Sequence, residues 1–210
     1  MSDALSEIID RIIDLTNDDS SMTKEVIEEG LKKRILILNE DISSDVIEDF
    51  CMRILYWNSE DRDLPKESRR PIKIYINSTG GSAIDGFALV DVIQQSKTPV
   101  IGIVMGMAAS MALYIFLGCH KRIAFSNSVL LKHDGETTIQ NSSSKAKDTM
   151  KFCEEMDSRI KEFVLSHSTM DEDFYDRTYT QEYWMYADEA KDLGCIDAIV
   201  GDQCDVDSLL

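Results

Sequence analysis

The chain has few of the residues that mark disulfide-rich, metal-binding or membrane-spanning proteins. It has 5 cysteines and 3 histidines in 210 residues, the cysteines are widely spaced, and none forms a CxxC pair. This pattern favours free thiols over a disulfide framework or a zinc finger. His120 follows Cys119 directly, but no second pair completes a zinc site. We therefore predict no metal and no cofactor.

Long apolar runs and basic clusters are also scarce. The longest apolar stretch, residues 99–117, is interrupted by glycine and serine and falls short of the roughly 20 residues that span a bilayer. The formal charge of −17 would repel nucleic acid and anionic membranes. The first residues have neither the basic start nor the apolar core of a secretion signal. We expect a cytoplasmic protein with no nucleic-acid or membrane partner.

The sequence does contain alternating strand-like and helix-like segments, which fit one α/β domain with a proper core. An acidic extension, residues 1–23, holds an amphipathic pattern over 5–15; the domain is predicted over 24–201 and an acidic tail, expected to fray, over 202–210. Helices are predicted over 23–33, 43–57, 82–95, 110–117, 141–168 and 187–193. Strands are predicted over 34–38, 72–76, 99–104, 122–125, 128–133 and 195–200.

One stretch in the middle of the chain has the strongest chemical signal. The strand 99–104 leads through Met105-Gly-Met-Ala-Ala109 to Ser110 and a second apolar run with helical character. Small residues allow a tight turn from strand to helix, and the start of a helix offers free N–H groups and a positive dipole end. Ser110 therefore suits a nucleophile beside an oxyanion site. Taken alone, it also suits an ordinary cap of a buried helix.

Two further candidates end predicted strands. The pair Gly80-Gly81 follows the strand over 72–76 and precedes a helix, which leaves backbone N–H groups exposed. Neither a GxGxxG motif nor a P-loop is present, so phosphate binding is not indicated. His133 ends the strand over 128–133, at the sheet edge where ligands of open α/β proteins gather. A plain turn and a structural histidine are the alternative interpretations.

Taken together, four motifs resemble the proteolytic subunit of the Clp protease, in the wider ClpP/crotonase fold. They are Tyr75-Ile-Asn-Ser-Thr-Gly-Gly81, Met105-Gly-Met-Ala-Ala-Ser-Met111, Asn127 with His133 after it, and Ala187-Asp-Glu-Ala190 with Gly194 and Asp197. They occur in the family's order and span most of the chain. The resemblance implies an α/β fold of repeated β-β-α units with a protruding long handle helix, which the segment 141–168 matches in length and character.

The resemblance also implies a serine endopeptidase that cuts unfolded proteins and peptides through an acyl-enzyme. Ser110 would be the nucleophile and His133 the general base, with the N–H groups of Gly81 and Met111 as the oxyanion hole. This chemistry fits the residue types, because a serine hydroxyl needs an imidazole to take its proton and the oxyanion needs fixed donors.

The third member of the implied triad departs from the family. Glu182 stands where aspartate is usual, and its extra methylene moves the carboxylate by roughly 1 Å unless the backbone compensates. Asp176 and Asp188 are the alternatives for this role.

The resemblance further implies an assembly and a partner. Members of the family form a homo-oligomer, a heptameric ring that stacks in pairs as a tetradecamer, and an AAA+ ATPase unfoldase can feed them polypeptide. Lys73 departs from the aromatic residue that is frequent where the ATPase docks.

Three other functions stay open at this point. The chain could be a catalytically weak or inactive ring subunit that regulates an active homologue, as the Glu182 departure allows. It could be a phage-type capsid-processing peptidase with the same chemistry. It could also be an acyl-CoA enzyme of the crotonase type, which shares the fold and the paired oxyanion donors.

Overall fold

The structure is a computed structural model that describes residues 21–140 and 142–209. The helix predicted over 5–15 lies outside these residues. In chain order, the described elements are α1 (Ser21–Lys32), β1 (Ile35–Leu38), α2 (Ser44–Glu60), a 3₁₀ turn (Lys66–Ser68), β2 (Ile72–Ser78), α3 (Ala83–Gln95), β3 (Val100–Ala109), α4 (Met111–Gly118), β4 (Lys121–Ala124), β5 (Val129–Lys132), α5 (Ser143–Ser166), α6 (Glu172–Arg177), β6 (Tyr183–Tyr186), α7 (Ala187–Asp192), β7 (Ala198–Ile199) and a second 3₁₀ turn (Val206–Leu209).

The strands form one mostly parallel sheet, which confirms the predicted α/β class. Its main order is β1-β2-β3-β4-β7. The long strand β3 changes neighbour along its length, because its first half pairs with β4 and its last residues, Met107 to Ala109, pair with β5. Strand β6 then adds antiparallel to β5. The carboxyl ends of β2, β3 and β5 therefore converge at one edge of the sheet.

Helix α4 lies at the centre of the fold. Every one of its residues is buried, so the helix has no polar face. Strand β2 buries Ile72, Ile74 and Ile76 on one face, because alternate residues of a strand point to the same side, whereas Lys73, Tyr75 and Asn77 on the other face are half-buried or exposed. The core thus holds the amino end of α4 in a fixed position, directly after β3.

Helix α5 is the predicted long helix and has 24 residues, or about 36 Å at the usual rise per residue. Val164, near its end, is its buried residue, whereas the side chains of Met150 and Phe152 are more than half exposed. Among the described helices, none combines the length and the apolar character that crossing a bilayer requires. Helix α5 therefore projects from the domain as an amphipathic helix.

Several predicted boundaries are wrong. Strand β3 does not stop at residue 104 but continues to Ala109, because its last residues gain β5 as a second partner. The predicted helix over 43–57 runs to Glu60, and the predicted strand over 195–200 shortens to β7. Helix α6 and strand β6 were not predicted. The tail, which was expected to fray, contacts the domain at Leu209, which is buried and whose carbonyl accepts a hydrogen bond from the Tyr75 hydroxyl at 2.7 Å.

Candidate active site

Ser110 lies at the junction between β3 and α4, in a backbone conformation that only glycine adopts without strain. Its φ is 53° and its ψ is −126°. A non-glycine residue at positive φ costs about 1–3 kcal/mol and persists only where its surroundings impose it. Here the Ser110 N–H donates to the Leu131 carbonyl at 3.0 Å, and the Ser110 carbonyl accepts from the Leu113 N–H at 3.0 Å. The two elements hold the serine in the sharp strand-to-helix turn that exposes a nucleophile.

The Gly80-Gly81 turn packs directly against this junction. Ser78 of β2 pairs with Ala108 of β3, so the residues that follow each strand stay side by side. A Cβ placed on Gly80 would lie 2.7 Å from Ser110 Cβ and 3.0 Å from the Met111 nitrogen. Both glycines have positive φ, at 104° and 148°. Glycine is therefore required here by both close approach and conformation.

The two N–H groups predicted for an oxyanion hole are available in this geometry. Within the described part of the chain, neither the Gly81 nor the Met111 N–H has a hydrogen-bond partner. Met111 is the first residue of α4, where N–H groups lack intrahelical acceptors and carry the positive end of the dipole. Unpaired donors at the same turn as a serine suit a negatively charged oxygen.

His133 directly follows β5, which pairs in parallel with the end of β3, so His133 and Ser110 lie at the same edge of the sheet. Ala109 is level with Leu131 in that pairing, and Ser110 is one residue and His133 two residues past this rung. The Tyr114 hydroxyl of α4 makes a long contact, 3.5 Å, with the His133 carbonyl oxygen. Among the described residues, no hydrogen bond joins the Ser110 hydroxyl to the His133 ring. Such bonds are frequently long in enzymes without substrate.

Glu182 and His133 adjoin the same end of the β5–β6 ladder. In this antiparallel pair the last rung joins Lys132 to Tyr183, so His133 follows that rung on one strand and Glu182 precedes it on the other. Glu182 itself is exposed, and its carboxylate accepts a hydrogen bond from the Trp184 indole N–H at 3.4 Å.

The two alternative acids lie in other surroundings. Asp176 forms an ion pair with Lys161 of α5 at 2.7 Å. Asp188 is exposed in the first turn of α7, beyond the far end of β6. Of the three acids, Glu182 is the one that adjoins the same rung of the β5–β6 ladder as His133.

Lys132, which sequence reasoning missed, is the most unusual side chain near this edge. It is 1% exposed, and its ammonium donates to the Thr178 carbonyl at 3.1 Å and lies 4.2 Å from the centre of the Tyr175 ring. Burial lowers the pKa of Lys132 to about 8, while the charges of Asp134 and Asp176 partly oppose that shift. The sequence offered one faint signal, a lysine that ends the otherwise apolar run of a buried strand.

Candidate ligands for a metal do not converge at this edge. Within the described ranges, no three histidine, cysteine or carboxylate side chains are grouped as a metal site would require. The chemistry that the edge can support with its own groups is nucleophilic attack by a hydroxyl, proton transfer by an imidazole, and stabilisation of an oxyanion by two amides.

Comparison with known proteins places the chain in a family. The family model described as Clp protease matches residues 18–203. The chain is also 30% identical over 175 residues to the ATP-dependent Clp protease proteolytic subunit 3 of Parasynechococcus marenigrum (strain WH8102), a match that covers 80% of this chain and 82% of that protein. With the glycine turn, the strained serine and the histidine at one sheet edge, these matches show that the chain is a divergent member of the Clp protease family.

Proposed function

We propose that the protein is a serine endopeptidase that cleaves unfolded polypeptide and short peptides through an acyl-enzyme. The observation that carries this proposal is the junction at Ser110, where a strained serine is held against a glycine turn with two unpaired N–H groups beside it. Strain of this kind is retained where the residue's position matters to function. Membership of the Clp protease family supports the same reaction.

The roles follow from the positions of the groups. The His133 imidazole takes the proton of the Ser110 hydroxyl as the serine oxygen attacks the scissile carbonyl carbon. The Gly81 and Met111 N–H groups donate to the carbonyl oxygen as it becomes an oxyanion. His133 then gives its proton to the leaving amine. A water molecule next attacks the acyl-enzyme carbonyl while His133 takes its proton, and the proton returns to Ser110 as the acyl group is released. Glu182 orients the imidazole through its other ring nitrogen.

Substrate binding would use the backbone rather than deep side-chain pockets. The chain beyond His133, residues 134–140, forms no helix or strand, and the Gly81 turn faces the same edge. An extended peptide can add as a strand between such segments, so its main-chain bonds give affinity while its side chains stay largely unselected. This mode suits unfolded polypeptide of varied sequence.

The test compares wild type, Ser110→Ala and a matched control. Ser43 also precedes a helix, is exposed, and makes no side-chain hydrogen bond to that helix, so Ser43→Ala controls for loss of a serine at a helix start. We expect Ser110→Ala to lower peptidase activity by at least about a thousandfold and to abolish labelling by a fluorophosphonate. Ser43→Ala should retain both. Equal labelling of wild type and Ser110→Ala would refute the nucleophile.

The role of Glu182 has a separate test. Glu182→Gln removes the charge but keeps the shape, and we expect a loss in kcat of about a hundredfold or more. Asp188→Asn removes the exposed carboxylate at the other end of β6 and should stay within twofold of wild type. The reverse result would transfer the orienting role to Asp188.

A second function rests on the contacts that the site makes in this structure. The Glu182 carboxylate is engaged by Trp184, and the described residues show no hydrogen bond between Ser110 and His133. These contacts fit a ring subunit with little activity of its own, which supports an active homologue. Absence of fluorophosphonate labelling in the pure protein, together with co-assembly with an active family member, would favour this function.

The assembly belongs to the same proposal. Helix α5 projects from the domain with Met150 and Phe152 exposed, and such a helix can pair with its twin from another subunit. We propose a homo-oligomeric ring, heptameric and stacked in pairs. Native mass measurement of the labelled protein reports subunit number and occupied nucleophiles together.

A further inference from the structure

Lys132 contacts both ends of the chain segment that carries Glu182. Its backbone pairs with Tyr183 across the β5–β6 ladder, and its ammonium donates to the Thr178 carbonyl at 3.1 Å. The segment 178–183 is thereby fastened at its first residue by the Lys132 side chain and at its last by the Lys132 main chain. Glu182 lies inside the fastened segment, next to the pair with Tyr183.

The surroundings of Lys132 do not resemble a structural ion pair. Within the described residues, no carboxylate lies within ion-pair distance of its ammonium. Its contacts are a neutral carbonyl and the face of the buried Tyr175 ring. Burying a lysine with only such partners costs free energy, and an apolar side chain of similar length would avoid that cost. The fold therefore tolerates Lys132 rather than depending on it.

We infer that Lys132 is a positioning residue, whose ammonium ties the Thr178 carbonyl to β5 and so holds the Glu182 carboxylate at the end of the β5–β6 ladder that His133 adjoins. The inference rests on the proposed function, because Glu182 matters only if His133 acts as a base. The ammonium is the active form of the tether. Once it loses its proton, its hydrogen bond to Thr178 and its attraction to the Tyr175 ring both weaken.

Ionisable groups from four directions face this cluster and shape its pH response. Asp134 follows β5, and Asp176 lies on α6 beside Tyr175. The others are Tyr179 after α6, Asp157 and Lys161 on α5, and Tyr114 on α4. The Lys161 ammonium lies 6.0 Å from the same Tyr175 ring but is paired with Glu172 and Asp176. Burial raises the pKa of Tyr179 to about 12, so Lys132 should lose its proton well before that tyrosine.

The first experiment separates positioning from folding. Lys132→Met keeps the length of the side chain and its contact with Tyr175 but removes the ammonium. We expect an equal or higher Tm, a tenfold or larger loss in kcat, and a KM within twofold of wild type. Lys161→Met removes the other ammonium near that ring and should keep kcat within twofold. Unchanged kcat in Lys132→Met, equal losses in both variants, or a loss matched by a lower Tm would each overturn the inference.

The second experiment needs no catalysis, so failure of the proposed function would not obscure it. The chain has 2 tryptophans, and Trp57→Phe leaves Trp184, whose indole donates to Glu182, as the reporter of the tethered segment. In this background we expect Trp184 emission to change between pH 7 and 10 with a midpoint near 8. The change should persist in Lys161→Met and vanish in Lys132→Met. An identical titration with and without Lys132 would overturn the tether, whether or not the protein hydrolyses peptides.

Discussion

Two buried cations at opposite edges of the sheet are held in contrasting ways. At the amino edge, Arg34 donates to both oxygens of Asp61, at 2.5 and 2.9 Å. At the carboxyl edge, Lys132 has only a carbonyl and an aromatic ring. Hydrogen bonding to Asp61 raises the pKa of Arg34, whereas burial lowers the pKa of Lys132 to about 8. Arg34 therefore stays charged, whereas Lys132 loses its proton more readily than an exposed lysine does.

The contrast separates stability from function along the same sheet. The Arg34 pair joins the start of β1 to the end of α2 and, through the Thr98 hydroxyl at 2.8 Å from Asp61, to the start of β3. It is far from Ser110. Lys132 instead adjoins His133. Breaking a buried ion pair leaves one partner as an uncompensated charge, whereas a buried ion without a charged partner destabilises the fold from the start. Only Lys132 therefore needs an explanation beyond folding.

The largest expected effect comes from breaking the arginine pair. Asp61→Ala leaves Arg34 buried without its carboxylate and should lower the free energy of unfolding by about 3–5 kcal/mol. Activity per folded molecule should not change. Urea unfolding with tryptophan emission measures the first quantity, and active-site titration normalises the second. A loss below about 1 kcal/mol would show that the pair is not the anchor that its geometry indicates.

A double variant is the control for that prediction. Arg34→Met with Asp61→Leu removes both charges together, so no buried charge is left unpaired. We expect it to recover most of the stability lost in Asp61→Ala. If the double variant were as unstable as the single one, lost packing would be the cause rather than lost pairing.

An effect of intermediate size is expected in how stability and activity depend on pH at Lys132, in contrast with the Arg34–Asp61 pair. The folded pKa of Lys132, about 8, lies below its ordinary 10.5, so between these values the unfolded chain binds more protons than the native one. Wild-type stability should therefore rise with pH across this window relative to Lys132→Met, by at most about 3 kcal/mol. Peptidase activity should fall over the same range. If activity and stability changed in the same direction as the pH rises, Lys132 would not serve function at the expense of stability.

At acidic pH the arginine pair gives a slope of the same sign, because folding also lowers the pKa of Asp61. Hydrogen bonding to Arg34 lowers the pKa of Asp61 below its ordinary 3.8. Its contribution is complete above that value and is lost as the pH falls through the lower folded pKa. The stability difference between wild type and Asp61→Ala should accordingly shrink only in strong acid. The stability measured in acid for Asp61→Ala serves as an internal control for the stability measured at alkaline pH for Lys132→Met.

The smallest effect sharpens the role of Thr98. Thr98→Val keeps the shape but removes the hydroxyl that donates to Asp61, and we expect a loss of about 2 kcal/mol in the free energy of unfolding. Thr149→Val, on the exposed face of α5, removes a hydroxyl bonded to a solvent-facing carbonyl and should stay within about 0.5 kcal/mol. If both variants lost the same free energy of unfolding, the hydrogen bond from Thr98 to Asp61 would not be the cause of the loss.

Sequence reasoning located the serine, the glycine turn and the histidine because each follows an apolar strand. Chain order in a parallel sheet then brings such residues to one edge. The β3 boundary was wrong because its last residues, Met107 to Ala109, are small or flexible and gain strand character from their pairing with β5 and, at Ala108, with Ser78 of β2. Tertiary pairing of this kind leaves no local signature.

The region around Glu182 shows what sequence reasoning could not reach. Strand β6, Tyr183-Trp-Met-Tyr186, has the aromatic content of a strand and could have been predicted on that ground, but its neighbours are polar and the run is short. The burial of Lys132 was out of reach, because lysine is the residue least expected inside and only the packing of α6 on β5 encloses it. That Glu182 and His133 adjoin the same rung likewise depends on an antiparallel register that appears only once the strands are paired.

The position of Ser110 at the end of β3 also determines when the site is lost as the protein opens. Strand β3 is paired on both sides, and the Ser110 amide is itself bonded to β5. To free this serine, the chain must separate its central strand from its neighbours, which amounts to global unfolding rather than local fraying. The amide of the proposed nucleophile should thus belong to the slowest-exchanging set, and partial openings that release α5 or residues 134–140 would leave the serine and its two amides assembled.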